Sequence, residues 1–181
     1  MKLMVFNEKG GVGKSTLAVA LSVRLKLPFI DLDAQQTGTR WLEQRSEGFE
    51  VGNADSNSWV ADCRPRIELR DIRPLLSTAD LVIVPLRASF QDLVTLDGTI
   101  EFLSKNGARI AFCGADVDMR AKDVDNLKEG LKPYDPPLLG YFSHRASYRR
   151  SGIRGKIAAE IDKVAAAELD AVIEKIKGIL K

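Results

Sequence analysis

Residues 8–16 read Glu-Lys-Gly-Gly-Val-Gly-Lys-Ser-Thr, and that order of residue types suits the capture of a phosphate chain. Gly10, Gly11 and Gly13 let the backbone take positive-φ turns and bring its N–H groups close to phosphate oxygens. With Val12 between them and Thr16 behind, they lead into Lys14, expected to reach the β- and γ-phosphates, and Ser15, whose hydroxyl is expected to ligate Mg²⁺. A helix opening near Lys14 aims the positive end of its dipole at the same anion.

Such a loop needs a strand before it and a helix after it. Short apolar runs at 3–6, 28–32, 59–61, 81–86, 109–113 and 138–142 are strand-length, and most lack period-2 alternation, as strands buried on both faces do. Between them lie segments long enough for helices, such as 14–25 and 93–105. The alternation predicts an α/β fold: a doubly wound, mostly parallel sheet with helices on both faces. At the end of the chain, Ile157, Ile161, Val164, Leu169, Val172, Ile176 and Ile179 recur at helical spacing, predicting a helix over 156–180 packed on the sheet.

The chain has 181 residues, 45% of them hydrophobic and 29% charged, enough for one domain of ordinary size and too globular for a disordered or fibrous chain. No apolar run approaches a membrane span, and the N-terminus lacks the features of a signal peptide. Cys63 and Cys113 have no Cys or His partners at ligand spacing, so neither a disulfide framework nor a zinc site is indicated. A single domain over 1–181 in the cytoplasm is expected.

The formal net charge of +2 conceals an uneven distribution. Between Pro136 and Ala159 stand Arg145, Arg149, Arg150, Arg154 and Lys156, with His144 and no acid. Arginine and lysine neutralise backbone phosphates, and no zinc finger, helix-turn-helix or RNA-binding signature accompanies them. Any nucleic-acid binding through those five residues is therefore expected to be largely independent of sequence, with contact to nucleotide or to a facing subunit as the alternative for some of the arginines. His144 reads as a hydrogen-bonded loop residue.

Lys9-Gly-Gly-Val-Gly-Lys-Ser resembles the deviant Walker A motif of the ParA/MinD ATPases, with Glu8 where an ordinary phosphate loop has its first Gly. Asp31-Leu-Asp33-Ala-Gln35 is similar to that family's Asp-x-Asp-Pro-Gln motif, with Ala34 in place of Pro. Val60-Ala61-Asp62 resembles its Walker B strand, and residues 81–93 and 145–156 look like its next strand and loop and its C-terminal region. The resemblance implies a P-loop NTPase with ATP and Mg²⁺ as cofactors. Lys9 would reach the partner subunit's nucleotide, Asp33 would position the attacking water, Asp31 would support the magnesium side, and Asp62 would hold Mg²⁺ through a water. The family's usual adenine-reading Asn is replaced by Cys113-Gly114-Ala115, so base recognition must use other groups.

By the same resemblance the chain would form an ATP-dependent homodimer that binds DNA nonspecifically on the nucleoid and drives plasmid or chromosome partition with a centromere-binding ParB-like partner. No N-terminal DNA-binding domain is expected, because Lys9 comes almost at once. A MinD-like membrane-positioning ATPase is the alternative, its hook being the basic amphipathic end at 172–181; a metabolic ligase of the same fold is the third reading.

Overall fold

The computed structural model describes residues 1–65, 69–120 and 122–181. Strands β1 (Lys2–Val5), β2 (Phe29–Asp31), β3 (Trp59–Asp62), β4 (Leu81–Leu86), β5 (Ile110–Val117) and β6 (Leu138–Ser143) form one sheet in the order β2-β3-β1-β4-β5-β6, every neighbouring pair parallel. The connections carry helices α1 (Lys14–Leu25), α2 (Thr37–Glu43), α3 (Leu69–Leu76), α4 (Phe90–Val94), α5 (Leu96–Lys105) and α6 (Asp123–Leu131). After β6 come α7 (Ala146–Arg150), two 3₁₀ turns at Gly152–Arg154 and Ala158–Glu160, and α8 (Lys163–Leu180).

Side chains of each inner strand divide between two cores. Leu3, Val5, Val60, Leu81 and Ile83 pack with Leu17 and Leu21 of α1 and with Leu169, Val172 and Ile176 of α8. Met4, Trp59, Ala61, Val82 and Val84 pack with Ile72 of α3, Leu103 of α5 and Leu127 of α6. Helices therefore cover both faces, which is why the strands read as continuous apolar runs. This is the expected doubly wound α/β architecture. Strand β1 lies between β3 and β4, so the chain reverses its direction of winding there, and the crevice beyond β1 is where such sheets place ligands.

Two helices depart from expectation. The segment 93–105 is split, because the Ser89 side chain caps a separate α4 by accepting from Asp92 N–H at 3.2 Å, and α5 begins only at Leu96. The C-terminal helix starts at Lys163, not 156: the Asp162 carboxylate accepts from Val164 N–H at 2.9 Å and caps it. Ile161 and Val164 consequently lie half exposed, while Ile157, Leu169, Val172 and Ile176 are buried as the stripe predicts. The amphipathic end does not stand free either. Val172, Ile173 and Ile176 are buried, and Ile179 and Leu180 pack against the same core. Among the described residues no helix is long and apolar enough to cross a membrane.

Candidate functional site

The glycine loop bridges β1 and α1 at the crevice. Gly11 and Gly13 take φ of +73° and +88°, which side-chain-bearing residues rarely adopt, and Gly13 is the N-cap of α1. Its carbonyl accepts from Leu17 N–H at 3.0 Å, so the helix winds directly off the loop. Gly10 to Thr16 line a cavity of about 850 Å³ together with Asp33, Arg64, Arg87, Asp116, Tyr148 and Arg149.

Lys14 is buried, and its Nζ donates to the Lys9 carbonyl at 2.7 Å, folding the side chain back along the loop. Burial lowers its pKa, opposed first by the Asp62 carboxylate and also by Asp33. Asp62 is 1% exposed, and neither carboxylate oxygen makes a well-formed hydrogen bond, although the Ser15 hydroxyl stands close enough to interact with it. Burial pushes its carboxyl up to about 7; the Ser15 hydroxyl and Lys14 pull downward, and Asp31 and Asp33 push further up. A buried carboxylate without a well-formed hydrogen bond, beside a lysine and a serine, fits a bound cation. Among the described residues no cluster of three or more His, Cys, Asp or Glu could hold a metal by itself. Mg²⁺ takes one or two protein oxygens and completes its shell with phosphate and water, a share that Asp62 and the Ser15 hydroxyl can supply. The residues fit the group.

Asp31 stands opposite Asp62 in the β2–β3 register. Its Oδ1 accepts from Asp33 N–H at 3.0 Å, and its Oδ2 accepts from the Thr39 N–H and hydroxyl at 2.9 and 3.0 Å. Asp31 therefore holds the Asp33 loop and α2 in place and does not itself line the cavity. Asp33 does line it, with its own Oδ1 accepting from Gln35 N–H at 3.0 Å.

Lys9 is not extended outward. Its ammonium is ion-paired with the buried Asp92, whose Oδ2 also accepts from Arg87 N–H at 2.8 Å and whose Oδ1 accepts from the Ser89 hydroxyl at 3.0 Å. The backbone N–H of Lys9 donates to Asn7 Oδ1 at 2.9 Å.

The five basic residues part company. Arg145 donates through Nε to Asp162 Oδ2 at 2.7 Å, holding that carboxyl down at about 2. Arg149 lines the nucleotide-sized cavity beside Tyr148, whose hydroxyl donates to Glu168 at 2.8 Å. Arg150, Arg154 and Lys156 are exposed and make no ion pair among the described residues. The segment is bolted to α2 and the turn after it. Trp41 Nε1 donates to the Lys156 carbonyl at 3.0 Å, and Arg45 donates to the Gly155 carbonyl at 2.9 Å and forks onto Glu160 at 2.8 and 2.9 Å. His144 is a loop residue as expected, with Nδ1 2.6 Å from Asp116 Oδ1.

The sequence assigns no site role to Arg87, Asp92, Asp116 or Tyr148, although Asp92 and Tyr148 lie in segments that carry the resemblance. The Ser-x-x-Asp spacing of 89–92 is a capping signal that could have flagged Asp92; Asp116, at φ +56°, offers no local signal.

Comparison with known proteins places this geometry. The chain is 26% identical to maintenance of carboxysome distribution protein A of Gloeobacter kilaueensis over 92% of each chain. Among solved structures it resembles the septum site-determining protein MinD of Pyrococcus horikoshii complexed with Mg-ADP, at a TM-score of 0.75 and 18% identity over 99% of this chain and 98% of that one. It also resembles a plasmid partition protein of Borrelia burgdorferi bound to AMPPNP, at a TM-score of 0.77 and 19% identity over 95% and 96%. The family model for the CobQ/CobB/MinD/ParA nucleotide binding domain matches residues 3–181. The chain belongs to the CobQ/CobB/MinD/ParA nucleotide-binding family.

Proposed function

We propose that this chain is a single-domain, Mg²⁺-dependent ATPase that works as an ATP-bound homodimer, holds DNA without reading its sequence, and positions a cargo through a partner protein. The observation that carries the reading is the buried Asp62, without a well-formed hydrogen bond, beside Lys14 and Ser15 of the glycine loop.

The loop amides from Gly10 to Gly13 and the start of α1 bind the phosphates, and Lys14 neutralises part of their charge. Ser15 and Asp62 would hold Mg²⁺, which supplies charge neutralisation across the phosphates when bound. Asp33 accepts a hydrogen bond from the attacking water and orients it, while Asp31 supports the magnesium side by fixing the Asp33 loop. Lys9 is the cation offered to a second subunit, and it must leave Asp92 to act there. The Mg-ADP and AMPPNP complexes of the structural neighbours support the choice of ATP and Mg²⁺.

Arg150, Arg154 and Lys156 are the phosphate contacts for DNA. Arg145 contributes by holding the segment to α8, and Arg149 by reaching the nucleotide cavity, so it ties the DNA-facing segment to the occupied site. The carboxysome-distribution and plasmid-partition relatives support a cargo-positioning role on the nucleoid, with a ParB-like protein as one form of partner. Packing of 172–180 into the core favours DNA over a lipid surface.

The test is fluorescence anisotropy on two unrelated duplexes over a salt series, with ATP and with ADP. Three cations per protomer, doubled by a two-fold axis, predict a log–log salt slope of about −5 with ATP, and weak binding with ADP. Strong preference for one duplex, or equal binding with both nucleotides, would refute it.

A further inference from the structure

Strands β3 and β4 are the two neighbours of β1, so the segments leaving their carboxyl ends run on either side of the glycine loop. Each supplies an arginine to the cavity, Arg64 after β3 and Arg87 after β4. Arg64 faces Asp71 at 3.3 Å. Arg87 faces the loop itself: its Nη2 donates to the Gly11 carbonyl at 2.6 Å, and its backbone N–H is fixed by Asp92.

The guanidinium of Arg87 retains most of its donor capacity. Its side chain is 47% exposed, and its nearest carboxylate, Asp116, lies 3.9 Å from Nε and is itself engaged by His144. A guanidinium has five N–H donors in a fork suited to phosphate oxygens, and only one is committed to Gly11. The lysines around the loop are held more tightly, Lys14 folded onto the Lys9 carbonyl and Lys9 paired with Asp92.

Position decides which phosphate is met. Lys14 and the helix N-terminus lie at the inner end of the loop, where the β-phosphate contact is common to a di- and a triphosphate. Gly11 is exposed and three residues upstream of α1, at the loop's outer edge. A cation bonded to its carbonyl adds positive charge at that edge, away from the helix N-terminus. We propose that Arg87 contacts the terminal phosphate of a nucleoside triphosphate bound in its own chain, so that each protomer distinguishes triphosphate from diphosphate before a second subunit docks. This rests on the nucleotide-binding reading above and adds to it a specificity residue acting in the same chain.

The experiment is calorimetric titration of the full chain with Mg·AMPPNP and with Mg·ADP, at concentrations where light scattering finds monomers, for the wild type, Arg87→Gln and Arg87→Lys. Glutamine can still donate to the Gly11 carbonyl but carries no charge, so a mere brace on the loop survives in that variant. Loss of one charge-assisted contact predicts that Arg87→Gln weakens AMPPNP about tenfold and leaves ADP within about twofold, with Arg87→Lys between the two. Equal losses on both nucleotides, or no loss on AMPPNP, would overturn the assignment. A wild type that binds neither nucleotide would instead overturn the nucleotide reading on which it rests.

Discussion

Lys14 and Arg150 are both cations for which we propose phosphate ligands, and the molecule treats them in opposite ways. Lys14 is buried, held by a backbone carbonyl and faced by a carboxylate that is itself buried. Arg150 is exposed on a short helix, with no ion pair among the described residues. A charge removed from water and fixed in geometry contributes strongly to one ligand pose and resists screening by salt. A solvated charge attracts any polyanion and weakens as salt rises. On the proposed function, the nucleotide end would suit one ligand and the 143–156 segment many sequences of one polymer.

The largest expected effect lies at the buried end. Lys14→Ala should reduce Mg·ATP affinity by about a hundredfold or more and abolish turnover, read by calorimetry and phosphate release. Retained affinity would erase the distinction between the two regions. At the exposed end, Arg150→Glu with Arg154→Glu should weaken binding to an arbitrary duplex by about thirtyfold at low salt, with the difference shrinking at high salt and ATP affinity kept within about twofold. Anisotropy checks both; an effect that survives high salt would mean these residues work through buried contacts.

Two smaller effects sharpen how the exposed segment is held. Gly155 has φ +62°, and a Cβ there would lie 2.6 Å from the Gln44 carbonyl oxygen. Gly155→Ala should therefore cost about 2 kcal/mol in urea unfolding, through strain and the clash with the turn after α2. A neutral outcome would show that the segment is not anchored there. Asp162→Asn keeps a capping oxygen but removes the charge that Arg145 faces. Because Arg145 depresses the Asp162 carboxyl from 3.8 to about 2 in the folded chain, its stabilisation is present above pH 4 and is lost as pH falls through about 2. The stability difference between wild type and Asp162→Asn should be constant from pH 5 to 7 and close between pH 4 and 2. A gap that persists at pH 2 would assign the effect to something other than this ion pair.

Much of the fold and the inner part of the site was legible because both depend on local signals. Apolar runs mark the strands, and Gly11 and Gly13 occupy the positive-φ positions that a glycine loop requires. What was not legible depends on pairing across long separations. That Arg145 faces Asp162 while Arg150 faces solvent is settled by where α8 begins, and α8 begins late because Asp162 caps it. That Lys9 is drawn inward depends on Asp92, 83 residues away. Asp31 reads like Asp33 in sequence, yet the strand register turns one into a brace for α2 and leaves the other in the cavity. A charge count ranks such residues as equals; partners separate them.

The most direct test of the central claim, that the buried Asp62 and the glycine loop together hold Mg·ATP, is titration of AMPPNP into wild type and Asp62→Asn, each with Mg²⁺ and with chelator. The expected result is that Mg²⁺ tightens wild-type binding about tenfold or more and that this gain disappears in Asp62→Asn, with chelator-only affinity no worse than wild type because a buried negative charge has been removed. The same Mg²⁺ gain in both proteins would contradict it.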